Sequence, residues 1–143
     1  MTLVVDAAPL IALADRRDPM GPQIQALLAD EPGSLVIPAP VTSEVDHILG
    51  RRLGRAARLS FLDDLAAGRF TVACLDEDDH HTVLDLARRY ADIDAGLADL
   101  SAVVLAHRFR TRRLLTFDQR HFRALRPLSG GTFTLLPADE SPR

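Results

Sequence analysis

The sequence lacks several residue types on which common protein classes depend. It has one cysteine, Cys74, which excludes an internal disulfide and a cysteine-rich zinc site. It has no lysine, and all 17 basic residues are arginine. Walker-type phosphate loops and Schiff-base enzymes both need a lysine, so neither class fits. Aromatic residues make up only 5% of the chain, which leaves few side chains for stacking on nucleic-acid bases.

Long apolar runs and a basic leader are also absent. No stretch approaches the ~20 apolar residues that a membrane-spanning helix needs, and the first residues carry no basic segment with a small-residue cleavage site. A hydrophobic fraction of 47% with 26% charged residues over 143 residues is typical of one globular domain. The net charge of −3 gives the whole protein no general attraction for nucleic acid. We therefore expect a cytoplasmic protein with no membrane partner.

Short aliphatic runs alternate with helical patterns along the chain. Residues 3–5 and 35–37 are typical of strands buried on both faces, and further strands are predicted at 70–74, 113–117 and 132–136. Helices are predicted between them, where apolar residues recur at spacings of three and four. This alternation predicts a three-layer α/β/α sandwich around a mostly parallel sheet. We expect one domain over residues 1–137 and a polar C-terminal tail over 138–143.

Four acidic residues occupy positions that this architecture brings to one edge of the sheet. Asp6 and Asp118 follow predicted strands, and Glu44 and Asp99 lie in the first turns of predicted helices. The carboxyl ends of parallel strands share one edge, where α/β sheets bind ligands. Neighbouring carboxylates repel unless they take up a proton or bind a hard cation, so we expect Mg²⁺, with Mn²⁺ as the alternative. Such a site suits hydrolysis of phosphodiester bonds.

Each of the four acids also has an ordinary structural role open to it. Asp6 could cap the helix that follows it, Asp99 could complement a helix dipole, and Asp118 could stabilise a turn. Glu44 could be a solvated helix residue. The spacing of the acids does not decide between these roles and a shared site.

Arginines flank the last of the four acids and could hold RNA phosphates. Four precede Asp118 and three follow it within eight residues. We expect Arg112, Arg120 and His121 to contact phosphates on either side of the scissile bond, although any one of them could belong to a solvated basic face. His107 and Cys74 are expected to be buried instead.

Four stretches resemble the motifs of PIN-domain ribonucleases, in the form seen in VapC-type toxins of toxin–antitoxin pairs. They lie at residues 4–13, 42–45, 96–106 and 115–122, and their order and spacing match over nearly the whole chain. The resemblance implies a Mg²⁺-dependent endoribonuclease that is held inactive by a VapB-type antitoxin and is usually homodimeric. It implies metal binding by Asp6 and Asp99. It also implies that Glu44 and Asp118 support the metal or the attacking water.

One position departs from the PIN pattern and keeps a second function open. The family commonly has Thr or Ser after its first Asp, whereas this chain has Ala7 and Ala8. A hydroxyl that could orient a water molecule is missing there, so the alternative is a catalytically weak PIN domain that binds RNA or a partner. A receiver-like phosphoryl-transfer domain also has an Asp after its first strand, but its usual forms depend on a lysine that this chain lacks.

Overall fold

Five short strands and seven helices make up the described part of the chain, residues 1–140, in a computed structural model. The strands are β1 (Leu3–Val5), β2 (Leu35–Pro38), β3 (Thr71–Ala73), β4 (Arg113–Leu115) and β5 (Thr134–Leu136). The helices are α1 (Ala7–Ala14), α2 (Gly21–Asp30), α3 (Ala39–Arg52), α4 (Arg55–Ala66), α5 (Glu77–Arg89), α6 (Leu97–Arg108) and α7 (Gln119–Ala124). The predicted alternation of strands and helices is confirmed.

The strands form one sheet in the order β3-β2-β1-β4-β5, and every neighbouring pair is parallel. In the register, Val4 of β1 pairs with Val36 of β2 on one side and with Leu114 of β4 on the other. The chain adds strands on one side of β1 first and then on the other, so the strand order reverses between β1 and β4. Such a switch point is where open α/β sheets bind ligands.

Helices cover both faces of the sheet, which gives the predicted three layers. Leu3 and Val5 point to one face and pack in a core with α1, α2 and α3, because side chains alternate along a strand. Val4 points to the other face and packs with buried residues of α5, α6 and α7. β1 and most of β2 and β4 are buried on both sides, as their continuous aliphatic sequence predicts, whereas Thr71 and Val72 of the edge strand β3 are exposed.

Three details differ from the sequence-based expectations. Glycines at positions 50 and 54 predict a break between helices over residues 50–54, but α3 continues through Arg52, so only Leu53 and Gly54, with φ of +94° at Gly54, separate it from α4. His107 is exposed because it lies in the last turn of α6, on the side away from the core. Cys74 is exposed because it follows β3, which is the edge strand. Within residues 1–140 no helix is long and apolar enough to span a membrane.

Candidate functional site at the carboxyl edge of the sheet

Asp6 stands where β1 ends and α1 begins, at the strand-order switch point. Its backbone N–H donates to the carbonyl of Leu115 at 2.9 Å, which fixes it against β4. Its Oδ1 accepts from the Ala7 N–H and its Oδ2 accepts from the Thr116 hydroxyl, both at 2.8 Å. Burial raises the pKa of Asp6 and the charge of Asp118 adds to that rise, while the two hydrogen bonds oppose it. Asp6 therefore caps its helix and belongs to a group of acids.

Thr116 links two of the acids, a role that the sequence does not indicate. Its side chain is buried directly after β4. The hydroxyl donates to Asp6 and accepts from the backbone N–H of Asp118 at 3.0 Å. The available signal was a β-branched hydroxyl residue in an apolar strand, two positions before an acid. That pattern is also ordinary in strands, so the sequence alone could not single Thr116 out.

Asp99, Asp118 and His121 form a tight cluster beside Asp6. Asp118 caps α7, with its Oδ1 accepting from the His121 N–H at 2.9 Å. The ring Nδ1 of His121 lies 2.9 Å from Asp118 Oδ2 and 3.1 Å from Asp99 Oδ2. These contacts assign a proton to Nδ1, which then donates to the carboxylates. One ligand-type atom from each of the three residues lies within 4.8 Å of the other two.

The pKa shifts show that the acids interact electrostatically with one another. Burial raises the pKa of Asp99 to about 6, and the charges of Asp6 and Asp118 contribute although His121 opposes them. Burial also raises the pKa of Glu44, with the charge of Asp6 as the second cause. Glu44 lies on α3 at the exposed rim of the group. Its neighbour Asp46 has a different partner, Arg58 on α4, at 2.7 Å.

The predicted phosphate contacts are divided between the two edges of the sheet. Arg120 lies on α7 and, with His121 and the loop residues Asp92 and Asp94, lines a cavity of about 420 Å³. Arg112 precedes β4 and contacts the Ser129 hydroxyl before β5, so it lies at the amino ends of the strands. The structure therefore does not bring Arg112 to the acids.

Most of the other flanking arginines have partners away from the acids. Arg113 makes two hydrogen bonds to the Glu31 carboxylate, at 2.8 and 2.7 Å. Arg108 pairs with Asp79 and donates to the Cys74 carbonyl at 2.9 Å. Arg123 pairs with Asp139 at 2.5 Å.

The donor set fits a hard divalent cation. Carboxylate oxygens are the ligands that Mg²⁺ and Mn²⁺ prefer. The Thr116 hydroxyl, the Ala7 N–H and His121 hold carboxylate oxygens in place, as outer hydrogen bonds do around metal ligands. Burial is the main cause of the raised pKa values of Asp6 and Asp99 and the neighbouring carboxylates add to it, and a bound cation would favour the ionised forms of both.

Comparisons with known proteins agree with this fold and this arrangement. A profile of the PIN domain matches residues 3–126. The chain is 35% identical over 135 residues to ribonuclease VapC26 of Mycobacterium tuberculosis, which covers 94% of this chain and all of VapC26.

Two crystal structures share the fold. One is VapC20 of M. tuberculosis, a toxin that cleaves the sarcin-ricin loop, with a TM-score of 0.76, 18% identity, and coverage of 82% of this chain and 90% of VapC20. The other is VapBC2 from Rickettsia felis bound to a fragment of its promoter DNA, with a TM-score of 0.70, 14% identity, and coverage of 94% and 98%. The profile match and the similarity to VapC26 together show that this chain belongs to the PIN-domain family, in its VapC branch.

Proposed function

We propose that the protein is a Mg²⁺-dependent endoribonuclease and the toxin of a VapBC-type toxin–antitoxin pair. One observation carries the proposal: Asp6, Asp99 and Asp118 converge at the switch point of a parallel sheet, with Glu44 at the rim. A purely structural role does not explain why three carboxylates lie close together, because each one makes it harder to ionise the others. A function that needs a cation and a phosphate at this place explains why they lie together.

In this proposal Asp6 and Asp99 hold the metal, and Glu44 and Asp118 support the metal or the attacking water. When bound, Mg²⁺ supplies the positive charge that favours ionisation of water and stabilises the leaving 3′-oxygen, and Mn²⁺ can take its place. Thr116 fixes one oxygen of Asp6, while His121 orients Asp99 and Asp118. Glu44, at the exposed rim with a raised pKa, can take a proton from the attacking water.

The substrate and partners follow from the same assignment. Arg120, exposed beside His121, holds a phosphate next to the scissile bond, and the outer face of the His121 ring can contact the same strand. The similarity to ribonuclease VapC26 supports RNA as the substrate. The similarity to the VapBC2 structure supports a VapB-type antitoxin as the partner. The proposal also includes a homodimer and a cytoplasmic location.

A second candidate is a catalytically weak PIN domain that acts by binding RNA or a partner. Ala7 and Ala8 favour it, because neither supplies the hydroxyl that the family commonly has after its first Asp. Asp6 nevertheless has a hydroxyl partner, since Thr116 donates to its Oδ2 from β4. The first proposal therefore has the stronger support.

Cleavage of RNA in the presence and absence of Mg²⁺ separates the two candidates. Wild type should cleave, EDTA should stop it, and Asp6→Asn or Asp99→Asn should lower the rate by roughly 100-fold or more, because each removes a charged ligand. Asp85→Asn is the matched control, since Asp85 is an exposed acid of α5, away from the candidate site. Binding of RNA without cleavage by wild type would favour the second candidate.

The antitoxin is tested separately by purification. If a small reading frame upstream encodes a VapB-type protein, its product should copurify with this chain and suppress cleavage. Cleavage that is unaffected by that product would remove the antitoxin from the proposal while leaving the nuclease in place.

A further inference from the structure

A concave basic surface lies at the amino edge of the sheet, opposite the acids. It is a cavity of about 590 Å³ where α6 ends and β4 begins, lined by His107, Arg110 and Arg112 and by Met1 at the N-terminus. Its lining within the described part of the chain includes no acidic side chain. We call His107, Arg110 and Arg112 the basic cavity. Among residues 1–140, none of these three has a carboxylate partner.

Arg113 also lines this cavity, but its charge is paired with that of Glu31. Glu31 is committed to Arg113 through two hydrogen bonds, and the Glu31 side chain is only 3% exposed. The charge of Arg113 is therefore neutralised by Glu31, whereas the arginines of the basic cavity have no such partner among the residues that the structure describes. Because the whole chain has a net charge of −3, this positive surface is a local feature and not a consequence of overall composition.

The backbone at Arg110 is strained for an arginine. Its φ is +55°, the left-handed region that favours glycine. The Thr111 N–H donates to the Ala106 carbonyl at 2.9 Å and the Arg110 N–H donates to the His107 carbonyl at 3.1 Å. These two bonds form the Schellman motif, whose left-handed position is usually glycine. Within residues 1–140 the guanidinium of Arg110 makes no hydrogen bond or ion pair that would offset the strain, and such outliers concentrate at functional sites.

Arg112 is held in the cavity by the loop before β5. Its Nη2 lies 3.4 Å from the Ser129 Oγ. The guanidinium also packs against Gly131, where a Cβ would lie 3.4 Å from the Arg112 Cζ. Arg112 thus has a defined position with donors still available, as a phosphate contact requires.

We infer that the basic cavity binds a phosphodiester segment of RNA remote from the cleavage position. The choice of RNA rests on the proposed function, while the anion preference rests on the cavity itself. Arg112 and Asp118 are six residues apart across β4, roughly 20 Å of extended chain at about 3.3 Å per residue. A bound strand that engages both edges of the sheet therefore extends several nucleotides beyond the scissile bond.

Equilibrium binding of a fluorescein-labelled single-stranded RNA of about 30 nucleotides tests this inference. Anisotropy is measured in EDTA, so cleavage plays no part, at salt concentrations from about 50 to 200 mM. Arg110→Gly and Arg112→Gln should each weaken binding up to about fivefold. Each should also make the dependence of log K on log salt shallower by about 0.7, the value for one lost phosphate contact on a single strand. The control is Arg88→Gln with Arg89→Gln, two exposed arginines in the last turn of α5.

The thermal midpoint of the Arg110→Gly variant is a second measurement, which distinguishes RNA binding by Arg110 from a structural role of this residue. Replacing a strained arginine by glycine should leave the thermal midpoint unchanged or raise it by up to about 4 °C, while RNA binding weakens. If Arg110 instead stabilised the end of α6, the midpoint would fall. The inference is overturned if both variants bind RNA with wild-type affinity and salt dependence. It is also overturned if the control variant at Arg88 and Arg89 loses as much RNA affinity as they do.

The outcomes also separate this inference from the proposed function. RNA binding that depends on Arg110 and Arg112, in a protein that cleaves no RNA with Mg²⁺, would support the basic cavity and refute the nuclease. Cleavage by wild type with unchanged RNA binding by both variants would support the nuclease and refute the cavity.

Discussion

Replacing Asp99 by asparagine should stabilise the metal-free protein while it abolishes RNA cleavage. Burial and the charges of Asp6 and Asp118 raise the pKa of Asp99 to about 6, so its ionised form at neutral pH costs stability. Asparagine has nearly the same shape and can keep a hydrogen bond to His121 without the charge. The expected gain in stability comes mainly from removing a buried charge and in part from removing its repulsion by Asp6 and Asp118.

The size of the gain follows from the displacement of the pKa. A rise from 3.8 to about 6 is roughly two units, which corresponds to about 3 kcal/mol at ~1.4 kcal/mol per unit. The Asp99 side chain is only 18% exposed, so solvent screens little of this effect. Between the two pKa values the folded state binds more protons than the unfolded state. The free energy of unfolding of wild type therefore falls as pH rises from about 4 to about 6, and the full penalty is present at neutral pH.

Urea unfolding in EDTA measures this penalty directly. At about pH 7.5, Asp99→Asn should unfold with a free energy about 2–3 kcal/mol above that of wild type, and near pH 4 the difference should shrink below about 1 kcal/mol. The control Asp85→Asn should match wild type at both pH values. A variant no more stable than wild type at pH 7.5, or a gain independent of pH, would refute the electrostatic account.

Three further predictions concern the hydrogen bonds and the cation. Mg²⁺ should raise the free energy of unfolding of wild type by about 1.4 kcal/mol at tenfold excess over its Kd, and thermal scans should show no such gain for Asp6→Asn. Thr116→Val should lower the free energy of urea unfolding by about 1–3 kcal/mol, because Asp6 loses a donor and the Asp118 N–H loses its acceptor, and Thr116→Ser should restore most of it. His121→Ala should raise the Mg²⁺ concentration for half-maximal RNA cleavage by about tenfold, with an unchanged circular dichroism spectrum.

The parallel sheet and the convergence of the acids could be predicted because they follow from topology. Continuous aliphatic runs such as β1 are buried on both faces only when helices cover both faces of a sheet. Once the strands are parallel, an acid that follows one strand must share an edge with an acid that follows another. Asp6 and Asp118 are far apart in sequence, yet this rule places them together, and the charge of Asp118 is felt at Asp6.

The hydrogen bonds within the site could not be predicted, because they depend on side-chain rotamers and on register. The role of Thr116 requires that β4 lie directly beside β1 in a particular register, with Val5 opposite Leu115. The position of His121 requires that α7 begin at Asp118, so that one ring nitrogen reaches two carboxylates. Neither requirement leaves a periodic or compositional signal in the sequence.

The arginines show how a strand separates residues that are close in sequence. Arg112 and Asp118 are six positions apart, and that proximity suggested a shared site. Residues before and after a strand lie at opposite edges of the sheet, so the rule that unites Asp6 with Asp118 also separates Arg112 from them. The result is an acidic edge and a basic edge on one small domain. A polyanion is attracted at the basic edge and repelled at the metal-free acidic edge, so a divalent cation among the acids offsets part of the negative field where cleavage is proposed to occur.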